Sequence, residues 1–151
     1  ELDTEDLKSV MVSCDARLIG QALTNIYKNA AESIGRRIDS SGIDDAGGVI
    51  TTRLSLVHDE VVLSITDNGA GWPFPDIDRV MEPYVTTRNE GTGLGLAIVR
   101  RIFEDHSGTL TLSTPGDGVG ACVEMILPVI SAPAGNKGRR ATDIDKETGI
   151  L

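Results

Sequence analysis

Between Asp15 and about Arg37 the apolar residues Leu18, Ile19, Ala22, Leu23, Ile26, Ala30 and Ile34 recur at spacings of three and four, the periodicity of a helix with one buried face. Asp15 stands where an N-cap belongs. Along one flank of that stripe Asn25, Asn29 and Glu32 follow at spacings of four and three, which stacks them as a polar row on one edge of a core helix. Residues 40–48, rich in Gly, Ser and Asp, read as a loop. Ile50, Thr52, Leu54 and Leu56 then alternate with polar positions, and Val61, Leu63 and Ile65 repeat the alternation. This predicts a hairpin turning at His58-Asp59-Glu60. The second strand runs straight into Asp67-Asn68-Gly69, so a carboxylate is presented at a strand end.

From Ala70 to Thr92 periodicity is weak apart from a turn of helix around Ile77 to Met81, and a loop this long in a compact domain reads as a lid over about 70–92. Trp72 sits at its edge. A second helix is predicted from about Gly93 to His106, with Leu96, Val99, Ile102 and Phe103 inward and Gly108 as a C-cap signal. Two strands, Thr109 to Thr114 and Ala121 to Pro128, flank a turn at Pro115-Gly116-Asp117-Gly118. After Val129 the hydrophobic pattern stops, and residues 131–151 read as a disordered tail. Helix, strand pair, helix and strand pair make an α+β domain over residues 1–130: a two-layer α/β sandwich, a mixed sheet with helices on one face.

A chain of 151 residues, 40% of them hydrophobic, supports one core. The net charge of −9 argues against a nucleic-acid surface, which needs a basic face. No apolar run approaches the length of a membrane span and no signal segment opens the chain. The start at Glu1, within an acidic stretch, predicts an excised piece of a longer parent. Cys14 and Cys122 lack metal-ligand spacing and read as reduced thiols rather than a zinc site or a disulfide framework.

Three groups along the chain carry candidate chemistry. Mg²⁺ takes octahedral oxygen ligands and keeps waters, so one amide oxygen plus phosphate oxygens suffices; Asn29 is the candidate. Asp67, at its strand end, is placed to accept from the exocyclic amine of adenine, where guanine offers a carbonyl; Gly71 permits close backbone approach to a planar ring. Gly91, Gly93 and Gly95 open the second long helix, so backbone N–H groups and the positive helix end can converge on phosphate. The spacing G-x-G-x-G after a loop is neither the dinucleotide fingerprint nor a P-loop. Lys28 and Arg88 are the cations nearest these segments.

NIYKNAAES at 25–33, DNGAGW at 67–72, EPYVTTR at 82–88 and GTGLGLAIV at 91–99 resemble, in order, the N, G1, F and G2 boxes of the catalytic and ATP-binding domain of bacterial sensor histidine kinases. That domain has the Bergerat fold, shared with gyrase B, heat-shock chaperones and MutL. HSG at 106–108 and GACVEMILP at 120–128 fit the same pattern. The closeness of EPYVTTR to GTGLGLAIV and the acidic Glu32 are most similar to the nitrogen-regulation kinases of the NtrY and NtrB type, the former more so.

The resemblance implies ATP and Mg²⁺ as ligands, with Asn29 on the metal, Asp67 reading adenine, Gly69 and Gly71 beside the ring, and Gly91, Thr92, Gly93, Leu94, Gly95 and Leu96 around the phosphates. Tyr84 stands where many relatives have Phe and is expected to anchor the lid. Glu32 replaces a basic residue of many kinases, which leaves phosphate contacts to Lys28 and Arg88. Hydrolytic relatives carry a water-activating glutamate at the position of Asn25, and an amide cannot act as that base. Transfer to an incoming histidine is therefore implied over hydrolysis by a GHKL-type ATPase; a nucleotide-sensing module without catalysis is the other alternative, which Asn25 does not separate from a kinase and only an activity measurement does. That histidine is expected on a dimerisation and histidine-phosphotransfer domain of the same parent, with an NtrX-like response regulator next; His58, in a hairpin, and His106, at a helix end, are not expected to accept phosphate. The resemblance further implies a monomeric cytoplasmic domain whose parent is anchored in the bacterial inner membrane.

Overall fold

The computed structural model describes residues 10–41, 47–85, 93–116 and 118–130. The predicted tail, the lid's segment 86–92 and the site residues Arg88, Gly91 and Thr92 lie outside the described residues. Helix α1 spans Ala16–Ser41, one turn longer than its apolar stripe predicts. The Asp15 carboxylate accepts from the N–H groups of Arg17 (2.8 Å) and Leu18 (3.1 Å), the predicted N-cap. The bond from Leu18, then the N–H and charge of Arg17, holds this carboxyl below its ordinary pKa.

Strands β1 (Ile50–Val57) and β2 (Glu60–Asp67) form a hairpin. Its turn is tighter than predicted: Glu60 already pairs with Val57, and only His58 (φ 47°) and Asp59 (φ 65°) lie outside the ladder, the backbone of a type I′ turn. A 3-10 helix at Ile77–Met81 answers the turn of helix expected there. Helix α2 covers Gly95–Asp105, and β3 (Thr109–Ser113) and β4 (Ala121–Pro128) complete the sheet.

Strand order is β1-β2-β4-β3, and every described pairing is antiparallel. The α+β sandwich with helices on one face stands, and the mixed sheet is corrected to an antiparallel one. Strand β3 does run parallel to β2, but β4 lies between them, so no parallel neighbours meet. The register sets Leu54, Leu63, Met125 and Leu110 in one row across the sheet, and Thr52, Ile65, Val123 and Leu112 in the next. These rows face the helices. Ala22 and Ile26 of α1 and Val99, Ile102 and Phe103 of α2 close over Ile65, Val123, Met125 and Leu127 as the core. Each such side chain contributes about 1.5–3 kcal/mol by leaving water. By strand alternation the opposite face carries Thr51, Arg53, Ser55, Ser64, Thr66, Thr109, Thr111 and Glu124, with Val57, Val62, Cys122 and Ile126 among them, a mixed and mainly polar surface.

The end of α2 is built differently from the predicted glycine cap. Ser107 takes the left-handed conformation (φ 58°), while Gly108 donates its N–H to the Phe103 carbonyl at 2.8 Å. Gly108 is needed because a side-chain carbon there would strike the Ile126 carbonyl. His106 ties the two helices together: its Nε2 accepts from the Asp15 N–H at 2.9 Å, and its Nδ1 lies 2.6 Å from the Ile102 carbonyl, to which it donates in the matching neutral tautomer. The end of α2 thereby fixes the start of α1. His106→Ala should lower stability by about 1–2 kcal/mol, the net worth of the two bonds lost. Urea unfolding checks this, and an unmoved midpoint would show that the tie holds nothing.

Candidate nucleotide-binding site

Above the sheet, an open cleft of about 530 Å³ is bounded by α1, the adjoining ends of β2 and β4, residues 71–85 and the start of α2, a volume in the range of small-molecule sites. Its α1 wall is the polar edge legible in the sequence. Asn25, Lys28, Asn29 and Glu32 line it, and Asn29 reaches the opening turn of α2: a side-chain carbon on Gly95 would lie 3.9 Å from Asn29 Nδ2. Lys28 Nζ stands 4.0 Å from Glu32 Oε1, with side chains 71% and 36% exposed. So exposed a pair is a weak tie, and Lys28 remains able to turn to an anion.

Asp67 ends β2 and is only 7% exposed. Its Oδ1 accepts from the Gly69 N–H at 2.8 Å. Burial pushes its pKa above the ordinary carboxylate value; the Gly69 N–H, the Ser33 hydroxyl, the Ala121 N–H and the charge of Arg36 oppose that rise. Gly69 lies beneath the carboxylate, its Cα so near α1 that a side-chain carbon would fall 2.5 Å from the Ser33 carbonyl carbon. The neighbouring Ala70 N–H bonds the Ser33 carbonyl at 3.0 Å. Gly71 (φ 75°) and Gly120 (φ 85°) adopt backbone closed to other residues without strain and press against each other and against Asp67.

One wall of the cleft is apolar: Trp72, Pro73, Phe74, Val80 and Val85 line it, with Val85 beside Gly93. Trp72, at the start of the segment read as a lid, is anchored. Its ring packs on the core and its Nε1–H donates to the Ser113 carbonyl at 2.8 Å, so it is a fixed part of the wall. At the far end Gly93, Gly95 and Leu96 line the cleft. Leu94 is the N-cap of α2 and its side chain forms no cap, and the start of a helix is where backbone N–H groups lack partners within the helix. Gly93 (φ 65°) stacks on Tyr84: a side-chain carbon on it would lie 2.6 Å from the Tyr84 carbonyl carbon, and the Tyr84 N–H donates to the Gly93 carbonyl at 3.0 Å.

The structure thus brings Asn25, Lys28, Asn29, Asp67, Gly71, Gly93, Gly95 and Leu96 to one cleft and seats Gly69 beneath it. Tyr84 does not join them. It is 78% exposed on left-handed backbone (φ 67°), outside the lining of the cleft; the segment 86–92 that it was expected to anchor lies outside the described residues. Sequence reasoning missed Ser33 and Arg36, which follow Asn29 on the same edge by four and seven residues and line the cleft. Continuing the helical spacing past Glu32 would have found both.

Residues 14–131 match the protein family described as histidine kinase-, DNA gyrase B-, and HSP90-like ATPase. The nitrogen regulation protein NtrY of Azorhizobium caulinodans is 44% identical over 126 residues, 83% of this chain and 16% of that protein. The present chain therefore spans under a fifth of that relative's length. Among solved structures, the mycobacterial sensor histidine kinase MprB superposes with a TM-score of 0.65 at 29% identity, covering 80% of this chain and 76% of that one. Full-length ShkA, solved in complex with AMPPNP, superposes with a TM-score of 0.60 at 28% identity, covering 76% of this chain and 22% of that one.

Because the folded pKa of Asp67 lies above its unfolded value, its ionisation opposes folding: the cost is full above the folded pKa and vanishes below the unfolded one. Asp67→Asn, which keeps an acceptor for the Gly69 N–H, should therefore be more stable than the native chain at pH 7 in the absence of ligand. The advantage should shrink as pH falls through the carboxylate range. Thermal unfolding across pH checks the sign, and a variant less stable than the native chain at pH 7 would show that the carboxylate supports the fold.

Proposed function

The chain belongs to the family of histidine kinase-, DNA gyrase B- and HSP90-like ATPases, and on that premise we propose that it binds Mg²⁺-ATP in this cleft and presents the γ-phosphate to a histidine on a separate dimerisation domain. The observation that carries this reading is the pairing, within one cleft, of a buried acceptor at the β2 end with the glycine-bearing start of helix α2. Asp67 accepts from the adenine amine, and the apolar wall from Trp72 to Val85 takes the ring. The first-turn N–H groups of α2 and the positive end of its dipole receive phosphate oxygens, with Lys28 supplying charge that its weak tie to Glu32 leaves available. Arg88, Gly91 and Thr92 are assigned to the same phosphates from the sequence pattern.

The donor set on α1 suits Mg²⁺: the amide of Asn29, beside the start of α2, offers a hard neutral oxygen and leaves the remaining positions to phosphate and water. The ion, when bound, neutralises charge as the phosphoryl group moves. Asn25, one turn earlier, holds no proton-accepting group at neutral pH, so the position that carries the water-activating glutamate in hydrolytic relatives has no general base here. That favours transfer over hydrolysis, and the domain acts by positioning and electrostatics. The likeness to NtrY supports a place in nitrogen-related signalling, with the histidine domain in the same parent and an NtrX-like response regulator downstream. We assign residues 1–130 to this domain, acting as a monomer on the cytoplasmic side of an inner-membrane parent.

Incubation with γ-labelled ATP tests the reading. The chain alone should not label itself, and an added helical domain bearing the acceptor histidine should take the label. Asn29→Ala should abolish Mg²⁺-dependent transfer while the fold persists by circular dichroism. Asp67→Asn should weaken ATP binding by about 1.5–3 kcal/mol, the worth of a hydrogen bond to a charged group. Free phosphate released faster than label transferred, or stable labelling of the chain itself, would contradict the assignment.

A further inference from the structure

Glu32 lines a cleft read as the site of a triphosphate, and a carboxylate is an adverse group to find there. It follows Asn29 by one turn of α1, the spacing of neighbouring side chains on one helix face, and both residues line the cleft. Asn29 in turn stands beside the start of α2, where a side-chain carbon on Gly95 would lie 3.9 Å from its Nδ2. The carboxylate is therefore one turn from the end of the cleft assigned to phosphate. Lys28 Nζ, 4.0 Å from Glu32 Oε1 in an exposed pair, is too weak a partner to cancel the charge. In a domain of net charge −9, Glu32 repels a phosphate chain that enters without a counterion.

The same carboxylate becomes favourable once the phosphates carry Mg²⁺. This ion dehydrates reluctantly, so a site made of one amide oxygen and phosphate oxygens leaves several of its ligands as water. Water on a cation is a strong donor, and a carboxylate is an acceptor only. Asn29 offers the amide oxygen, and Glu32, one turn on, offers acceptors for the waters of the ion without touching the ion itself. We propose that Glu32 makes the cleft selective for the metal-bound nucleotide, holding Mg²⁺-ATP through the waters of the ion and repelling ATP that lacks it. A wall of neutral amides alone would supply no such repulsion. Selection for the metal then acts at binding, before any phosphoryl group moves. This inference rests on the nucleotide reading of the cleft and assigns a specificity residue within it.

The test is calorimetric titration with ATP, in Mg²⁺ and in EDTA, of the native chain and of Glu32→Gln, which keeps the size of the side chain and removes its charge. The ratio of the two affinities should shrink by about three- to tenfold in Glu32→Gln, the scale of one charge contact at a partly exposed site, with metal-free ATP bound more tightly than by the native chain. The readout is a ratio taken on one protein, so a general folding defect cannot produce it. Because removing the carboxylate also releases Lys28, the same substitution is repeated on a Lys28→Met background, where the ratio should shrink again. An unchanged ratio in Glu32→Gln would overturn the proposal, as would an equal loss of affinity in both conditions. A shift that vanishes on the Lys28→Met background would also overturn it, showing that the carboxylate acts only by restraining the lysine. Failure of the native chain to bind ATP in either condition would instead overturn the nucleotide reading, and this inference with it.

Discussion

The cleft depends on one close approach, that of the turn after β2 to the backbone of α1. Gly69 lies so near the helix that any side chain would collide with the main chain of Ser33 and Ile34, and the Ala70 N–H bonds the Ser33 carbonyl at that contact. From the other side Gly120, in left-handed backbone, presses on the carbonyl of Asp67. Between these contacts the Asp67 carboxylate is held out of water with its Oδ1 occupied by the Gly69 N–H. Burial makes that charge costly. A group that opposes folding yet is clamped so closely is most simply understood as kept for a ligand, the usual meaning of a perturbed carboxylate in a cleft.

Electrostatics follow from the same arrangement. The chain carries a net charge of −9, which by itself would repel a nucleotide triphosphate. Local structure offsets this along the cleft. Asn25 and Asn29 place neutral amides where carboxylates would have been adverse, Lys28 and Arg36 stand on the same helix edge, and α2 aims its positive end inward. Arg36 also helps Asp67 remain ionised. The cations, amides and helix dipole of two elements thereby offset the carboxylates of Glu32 and Asp67, which line the same cleft.

Much of this was legible in the chain because it lies in short-range patterns. The three-and-four spacing from Leu18 to Ile34 marks α1 and its polar edge, the alternation around His58-Asp59 marks the first hairpin, and the glycines at 93 and 95 mark the start of α2. What was not legible depends on distant partners. The sheet is wholly antiparallel among the described pairings because β4 inserts between β2 and β3, a choice no local period encodes. Trp72 belongs to the wall because Ser113, forty-one residues away, accepts its N–H. Tyr84 is exposed on left-handed backbone that Gly93 packs against, an arrangement no local pattern encodes.

The central claim is that this cleft takes an adenine nucleotide, and Trp72 reports on it directly as the sole tryptophan, fixed in the apolar wall of the cleft. Titrating its fluorescence with ATP, ADP and GTP, with and without Mg²⁺, should give a saturable change for ATP and ADP, a Mg²⁺ dependence for ATP, and no response to GTP at the same concentrations. An equal response to GTP, or silence with all three nucleotides accompanied by no heat of binding, would contradict the account.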